Sequence, residues 1–294
     1  MSCRKQEAPR SQPSVVSKNA APPETNVSAK VEAPAGPTPE EIAVIAYNRG
    51  VRFFRGDGEP QNFAEAVKFF REAAEVKHPM AEHNLGVFYL NGWGVEKDVE
   101  EAVKWLAKSA EHGIAEAQFK LASLYAAGLG VTKDLALAAQ WVKKAAEQGH
   151  LEAEYNLATL YMSGQGVPED FAEAARWYRK AADQGHLTAQ SNLGALYASG
   201  KGVPQNLDEA TQWLRKAAEQ GHPYAQFNLA KFCVEGKGTA KDKVEAYKWF
   251  MLAASQSRSA SAWRPGRDGP SVRSGCMPRP RIAATPSSQR PWRT

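Results

Sequence analysis

The feature that most constrains this chain is a spacing. Glycines stand at Gly56, Gly92, Gly128, Gly164, Gly200 and Gly236, each 36 residues after the last, and a second set follows two residues later from Gly58 to Gly238. An aromatic keeps the same phase at Phe69, Trp105, Trp141, Trp177, Trp213 and Trp249, with no insertion or deletion across the copies. Self-similarity at a fixed period of this length marks stacked repeats of one supersecondary unit. Such a unit cannot bury its apolar face alone and does so by stacking on its neighbour.

The unit reads as two helices. Ala81, Leu85, Phe88 and Tyr89 fall at i, i+4, i+7 and i+8, and Ala153, Leu157, Leu160 and Tyr161 repeat the stripe. Ala102, Trp105, Leu106, Ser109 and Ala110 make a second stripe of helical period, and neither alternates as a strand does. Small residues at Gly86, Ala122, Ala158, Gly194 and Ala230 are expected to let neighbouring backbones approach closely. Asp98 to Glu101, Asp170 to Glu173, Asn206 to Glu209 and Asp242 to Glu245 have capping-box spacing. Thr38-Pro39-Glu40-Glu41 opens a first helix in the same way, and Gly113, Gly149, Gly185 and Gly221 stand where a left-handed C-terminal residue is needed. The expected fold is an all-α, right-handed superhelical α/α solenoid of six 36-residue helix hairpins over residues 38–257.

Composition changes at both ends. Residues 1–37 are rich in Pro, Ala and Ser without an apolar period, and read as a disordered leader. Residues 258–294 carry eight arginines and one acid, Asp268, with no lysine after Lys248. They read as a basic disordered tail or a frameshifted end that once continued the array. That tail leaves a charge of −2 on the remainder of a chain whose net charge is +5, so its basicity does not imply nucleic-acid binding by the repeats. Cys3, Cys233 and Cys276 are too scattered for a disulfide framework or a zinc site, and no run of about 18 apolar residues is present to span a membrane. Cys3 with its polar, Pro-rich tether resembles the start of a mature bacterial lipoprotein. It would be the lipidated residue, in a bacterial envelope, if translation begins upstream; as written, the leader is an ordinary one and the protein cytoplasmic.

The pattern A-x-x-x-L-[GA]-x-x-Y-x-x-G-x-G-V, continued by an in-phase Trp and a closing Gly, resembles the Sel-one-like repeats, relatives of the tetratricopeptide repeats. AEYNLATLYMSGQGVPEDFAEAARWYRKAADQGH and AQSNLGALYASGKGVPQNLDEATQWLRKAAEQGH carry the match best, within a resemblance covering about residues 45–257. The first copy departs at Arg49 and Lys77 and the last at Cys233 and Ser257. The resemblance implies a non-catalytic scaffold or adaptor that binds a protein or peptide partner in a concave groove, without cofactor. Some cysteine-rich relatives have been linked to penicillin-type substrates, so the alternative is a β-lactamase-like envelope hydrolase. Those relatives carry a Cys pair in each repeat, which this chain lacks.

Four recurring features are candidates for chemistry. Gly128 to Lys133 faintly suggests a phosphate loop, but its recurrence in every unit makes it a turn. His150, His186 and His222 recur in phase. A shared metal needs bonds of about 2 Å, whereas equivalent positions on stacked hairpins lie about 8–10 Å apart, so helix-end packing or hydrogen bonding is expected. The tryptophans lie within the core stripe. Asn48, Asn84, Asn156, Asn192 and Asn228, interrupted by Lys120, flank the first-helix stripe. An amide can pair with both polar groups of a peptide backbone, and the resemblance implies that role; an interhelical hydrogen bond is the alternative. Lys120 would favour a carboxylate. Aromatics beside the row, Tyr155 among them, are inter-repeat packing or anchors for a partner. The candidate partner-binding set is Asn84, Lys120, Tyr155, Asn156, Asn192 and Asn228.

Overall fold

The computed structural model describes residues 36–259, with side chains through 255; Cys3 and most of both flanking segments lie outside this range. The described residues form twelve α-helices and no strand. The first helices of the six hairpins are α1 (Pro39–Arg55), α3 (Pro79–Asn91), α5 (Ala115–Ala127), α7 (Leu151–Ser163), α9 (Leu187–Ser199) and α11 (Pro223–Glu235). Their second helices are α2 (Phe63–Glu75), α4 (Val99–Glu111), α6 (Leu135–Glu147), α8 (Phe171–Asp183), α10 (Leu207–Glu219) and α12 (Lys243–Ser259). Each helix packs mainly on the helices before and after it, so the fold is an all-α solenoid.

Both turn types follow from the sequence. Every first helix ends on the first glycine of Gly-x-Gly, in the left-handed region, as at Gly164 with φ 65°. The second glycine does more than turn the chain. A Cβ on Gly94, Gly166, Gly202 or Gly238 would overlap backbone atoms at the start of the preceding hairpin's second helix, such as Phe171 and Ala172 under Gly202. The strict register thus reflects contact between repeats as well as a turn within each. Gly86 and Gly194 show the close approach expected of the small residues, their Cα hydrogens facing Leu106 and Leu214.

The acceptor caps form as the spacing implies: Asp170 Oδ1 accepts from Glu173 N at 3.0 Å and Asp98 Oδ1 from Glu101 N at 3.0 Å. The reciprocal half differs. Only Thr38–Glu41 closes a complete box among the described helices. Glu173, Glu209 and Glu245 instead accept the indole N–H of Trp177, Trp213 and Trp249 at 3.1–3.2 Å. A buried indole needs an acceptor, and at these three positions the N3 glutamate one turn before it supplies one; at Trp105 the Nε1 has no partner, because Glu101 pairs with Lys104. Trp177 and Trp213 are 2% and 4% exposed and lie in the core as expected, whereas Trp105, Trp141 and Trp249 are only half-buried. Lysines three residues on cover the outer ring faces, with Lys180 Nζ 4.1 Å from the Trp177 centroid.

Candidate protein-binding face

The first helices bury most of their circumference and leave one stripe partly open. In α7 that stripe is Glu152, Asn156, Thr159 and Ser163; in α5 it is Glu116, Lys120, Ser123 and Ala127. Asn84, Lys120, Asn156, Asn192 and Asn228 are all half-buried, in register, one per hairpin, whereas Asn48 is exposed. The side chains of Asn84, Asn156 and Asn228 have no hydrogen-bond partner among the described residues. Asn192 differs, because it hydrogen-bonds the Tyr178 hydroxyl of the preceding hairpin, the interhelical tie that was the alternative for this row. Burial pushes that phenol up to about 12, and Thr159 Oγ1 lies 3.1 Å from its oxygen.

Lys120 does not stand free. Its Nζ lies 2.9 Å from Glu116 Oε1, while Glu116 Oε2 takes His150 Nε2 at 2.8 Å. The hydrogen bond from His150, and after it the Lys120 ammonium, hold the Glu116 carboxyl down at about 2. His83 on α3 adjoins this cluster; it is 8% exposed and its Nδ1 has no partner. Burial, with the Lys120 charge adding to it, pushes His83 down to about 4. A partner carboxylate arriving at Lys120 must therefore compete with Glu116.

Tyr155 packs at the joint to the next hairpin: its ring stacks on His186 at 4.3 Å, and Phe119 stacks on His150 at 4.9 Å in the same way. Phe227, 39% exposed, retains a free face in the last hairpin. The in-phase histidines are helix N-caps. His150 Nδ1 accepts from Ala153 N at 3.2 Å and His186 Nδ1 from Ala189 N at 3.1 Å, the local hydrogen bonding expected of them.

A second polar ladder was missed from sequence. Glu82, Gln118, Glu154, Gln190 and Gln226 are buried, each 36 residues apart. Gln118 Nε2 donates to Ala110 O at 3.0 Å, and Gln148 Nε2 donates to Gln118 Oε1 at 2.8 Å. Gln184 reaches Glu154 at 2.7 Å, and His112 Nδ1 lies 2.7 Å from Glu82. The signal was present in the recurring Ala-Glu or Ala-Gln dipeptide paired with a polar residue just before each closing glycine. At Gln118, Gln190 and Gln226 this ladder ties a hairpin to the one before it, through Ala110 O, Ala182 O and Ala218 O, while its other bonds close the hairpin internally; Asn84, Asn156 and Asn228 take no part.

An open depression of about 830 Å³ lies beside Arg71, Tyr89 and Gly130, along the end of the loop between α3 and α4 and the start of α4. Cys233, the one cysteine among the described residues, is buried, and burial pushes its thiol up, the reverse of what a nucleophile needs. No group of three or more His, Cys, Asp or Glu among the described residues is placed to hold a metal. No described helix is long and apolar enough to cross a membrane.

These features define an α-hairpin repeat solenoid with one polar row repeated along its first helices. The family model of the Sel1 repeat matches residues 46–78, 79–114, 115–150, 151–186, 187–222 and 223–257, and the chain belongs to that family. Among solved structures it is similar to the protective antigen c5321 of uropathogenic Escherichia coli, at 36% identity and a TM-score of 0.68, covering 73% of this chain and 46% of the antigen. The chain thus spans less than half of that relative's length. A Sel1 repeat protein from Oxalobacter formigenes is 33% identical with a TM-score of 0.66, covering 71% of this chain and 84% of its own. No curated protein matches the sequence. Sel1 repeat proteins commonly act as protein–protein interaction scaffolds.

Proposed function

We propose that the chain is a non-catalytic scaffold that holds an extended peptide segment or protein surface along the first-helix row, through Asn84, Asn156, Asn192, Asn228 and Lys120, with Tyr155 beside them. One observation carries the reading. Three amides of the row are half-buried, periodic and unspent within the protein, while Gln118, Gln190 and Gln226 tie their hairpins to the preceding ones from a separate position. A half-buried amide gains most from a partner that supplies both a donor and an acceptor. The 36-residue phase offers one such group per hairpin.

Affinity capture with the full chain as bait, followed by cross-linking mass spectrometry, tests this. Cross-links from the captured partner are expected at Lys120 and Lys231, whose positions fall on the open stripe. Cross-links confined to second-helix lysines such as Lys104, Lys144 and Lys180 would place the partner on the opposite elements and contradict the reading.

A further inference from the structure

The histidine caps recur at a place where the two kinds of helix differ. Second helices begin on Asp or Asn: Asn62, Asp98, Asp134, Asp170 and Asn206 each accept a backbone N–H through a side-chain oxygen. Four of the six first helices begin on His: His78, His150, His186 and His222 accept from Ala81, Ala153, Ala189 and Ala225 through Nδ1 at 3.1–3.3 Å, whereas α1 begins on Thr38 and α5 on Ile114 without a side-chain cap. Only an Nδ1 without a proton can accept, so each cap requires the tautomer protonated on Nε2. At one joint Nε2 donates to a carboxylate, Glu116 Oε2 at 2.8 Å from His150, and at another the Glu152 carboxylate lies 3.7 Å from His186 Nε2, near enough for an ion pair but not a hydrogen bond. Three of the rings also stack on an aromatic of the preceding first helix, Tyr47, Phe119 or Tyr155. The rings of His78, His150 and His186 therefore fasten one hairpin to the next while starting the new helix, and His222 caps its helix alone.

We propose that these histidine-capped joints are an acid-sensitive release, in which protonation at Nδ1 in mildly acidic solution uncaps the first helices and loosens each hairpin from the one before it. The second helices, capped by oxygen acceptors, stay fastened. This holds whatever occupies the face.

The neighbours grade the response. His150 faces Glu116, itself paired with Lys120, and has Glu154 on its own helix. His186 faces Glu152, and His78 has Glu82 on its own helix. His222 faces His186 and has no ion-pair partner among the described residues. Burial holds His78, His186 and His222 below their ordinary 6.5. The neutral form is thus favoured in the fold; the caps' contribution is complete above about 6.5 and lost as pH falls through the lowered values. The His222 joint, with neither ring stack nor ion pair, gives way before the His150 joint, where the contacts to Glu116 and Phe119 remain.

Amide hydrogen exchange on the full chain, corrected for intrinsic rates, tests this between pH 7.5 and 5. Protection at Ala225 and Ala189 is expected to fall about tenfold or more, with that at Ala153 falling less. Protection at Ala172 and Glu209, under Asp170 and Asn206, should stay constant. His186→Asn and His222→Asn keep an acceptor that does not titrate, and should remove the pH response at Ala189 and Ala225 whatever they cost in overall stability. Constant protection at every histidine-capped helix overturns the proposal. So does an equal fall at both kinds of helix, or an undiminished response in the asparagine variants.

Discussion

Gly202→Ala is expected to cost the array about 3 kcal/mol or more, and Gly185→Ala only about 1–2 kcal/mol. Both glycines sit at positive φ, 70° and 93°, so both substitutions incur the left-handed penalty. They differ in what a Cβ meets. At Gly185 nothing lies within 4 Å, whereas at Gly202 the new carbon falls on the backbone of Phe171 and Ala172 in the preceding hairpin. Backbone at the capped start of a helix cannot move aside as a side-chain tip can. Urea unfolding of the two variants measures the difference. Equal losses would show that the second glycine of Gly-x-Gly serves only the turn, and would remove the physical reason for the fixed register. Solenoids can unfold repeat by repeat, so the loss is expected to appear as weakened protection next to the joint between the fourth and fifth hairpins.

The second large effect is a pH dependence at His83. Its folded value near 4 lies below the ordinary 6.5, so the unfolded chain binds the proton more readily than the fold does. Stability from this residue is complete above about pH 6.5 and drains away toward 4. Between pH 7.5 and 5 the loss is about 2 kcal/mol. His83→Phe places there the residue that Phe119 and Phe227 supply in other hairpins. The variant should lose about 2 kcal/mol less over the same interval, and it also relieves the buried, unpaired Nδ1 at neutral pH. Denaturant midpoints at the two pH values check this. An unchanged pH dependence would mean that the ring is reached by water or finds a partner as it charges.

Much of this architecture is legible in the sequence because one device is written six times. The glycine and tryptophan phases gave the hairpin length, Leu85 and its equivalents gave the first-helix core face, and Asp170 and Asn206 gave the second-helix starts. Three things were not legible, each because the spacing is the same for two physical outcomes. Glu173 lies at N3 and also one turn before Trp177; periodicity does not say which donor it serves, and the buried indole outcompetes the exposed backbone. The second glycine reads as a turn residue whether or not a neighbouring backbone touches it. Lys120 reads as a free cation in an asparagine row, since its partner Glu116 stands at i−4 among residues that vary from copy to copy. The buried ladder from Glu82 to Gln226 was legible in principle but was masked by its polarity, because charged and amide side chains beside an apolar stripe usually face solvent. Finding that ladder changes the weight on Asn84, Asn156 and Asn228, since its glutamines tie three joints, whereas Asn192 keeps an interhelical bond of its own.

The most direct test is the affinity of the captured partner for the full chain with Asn84, Asn156 and Asn228 all changed to alanine, measured by titration calorimetry beside a thermal melt of the same sample. Binding is expected to weaken at least tenfold, about 1.4 kcal/mol, with the melting midpoint displaced by no more than about 2 °C. Unchanged affinity, or a fall in midpoint that accounts for the lost binding, would show that the row belongs to the scaffold's own framework and that the partner sits elsewhere.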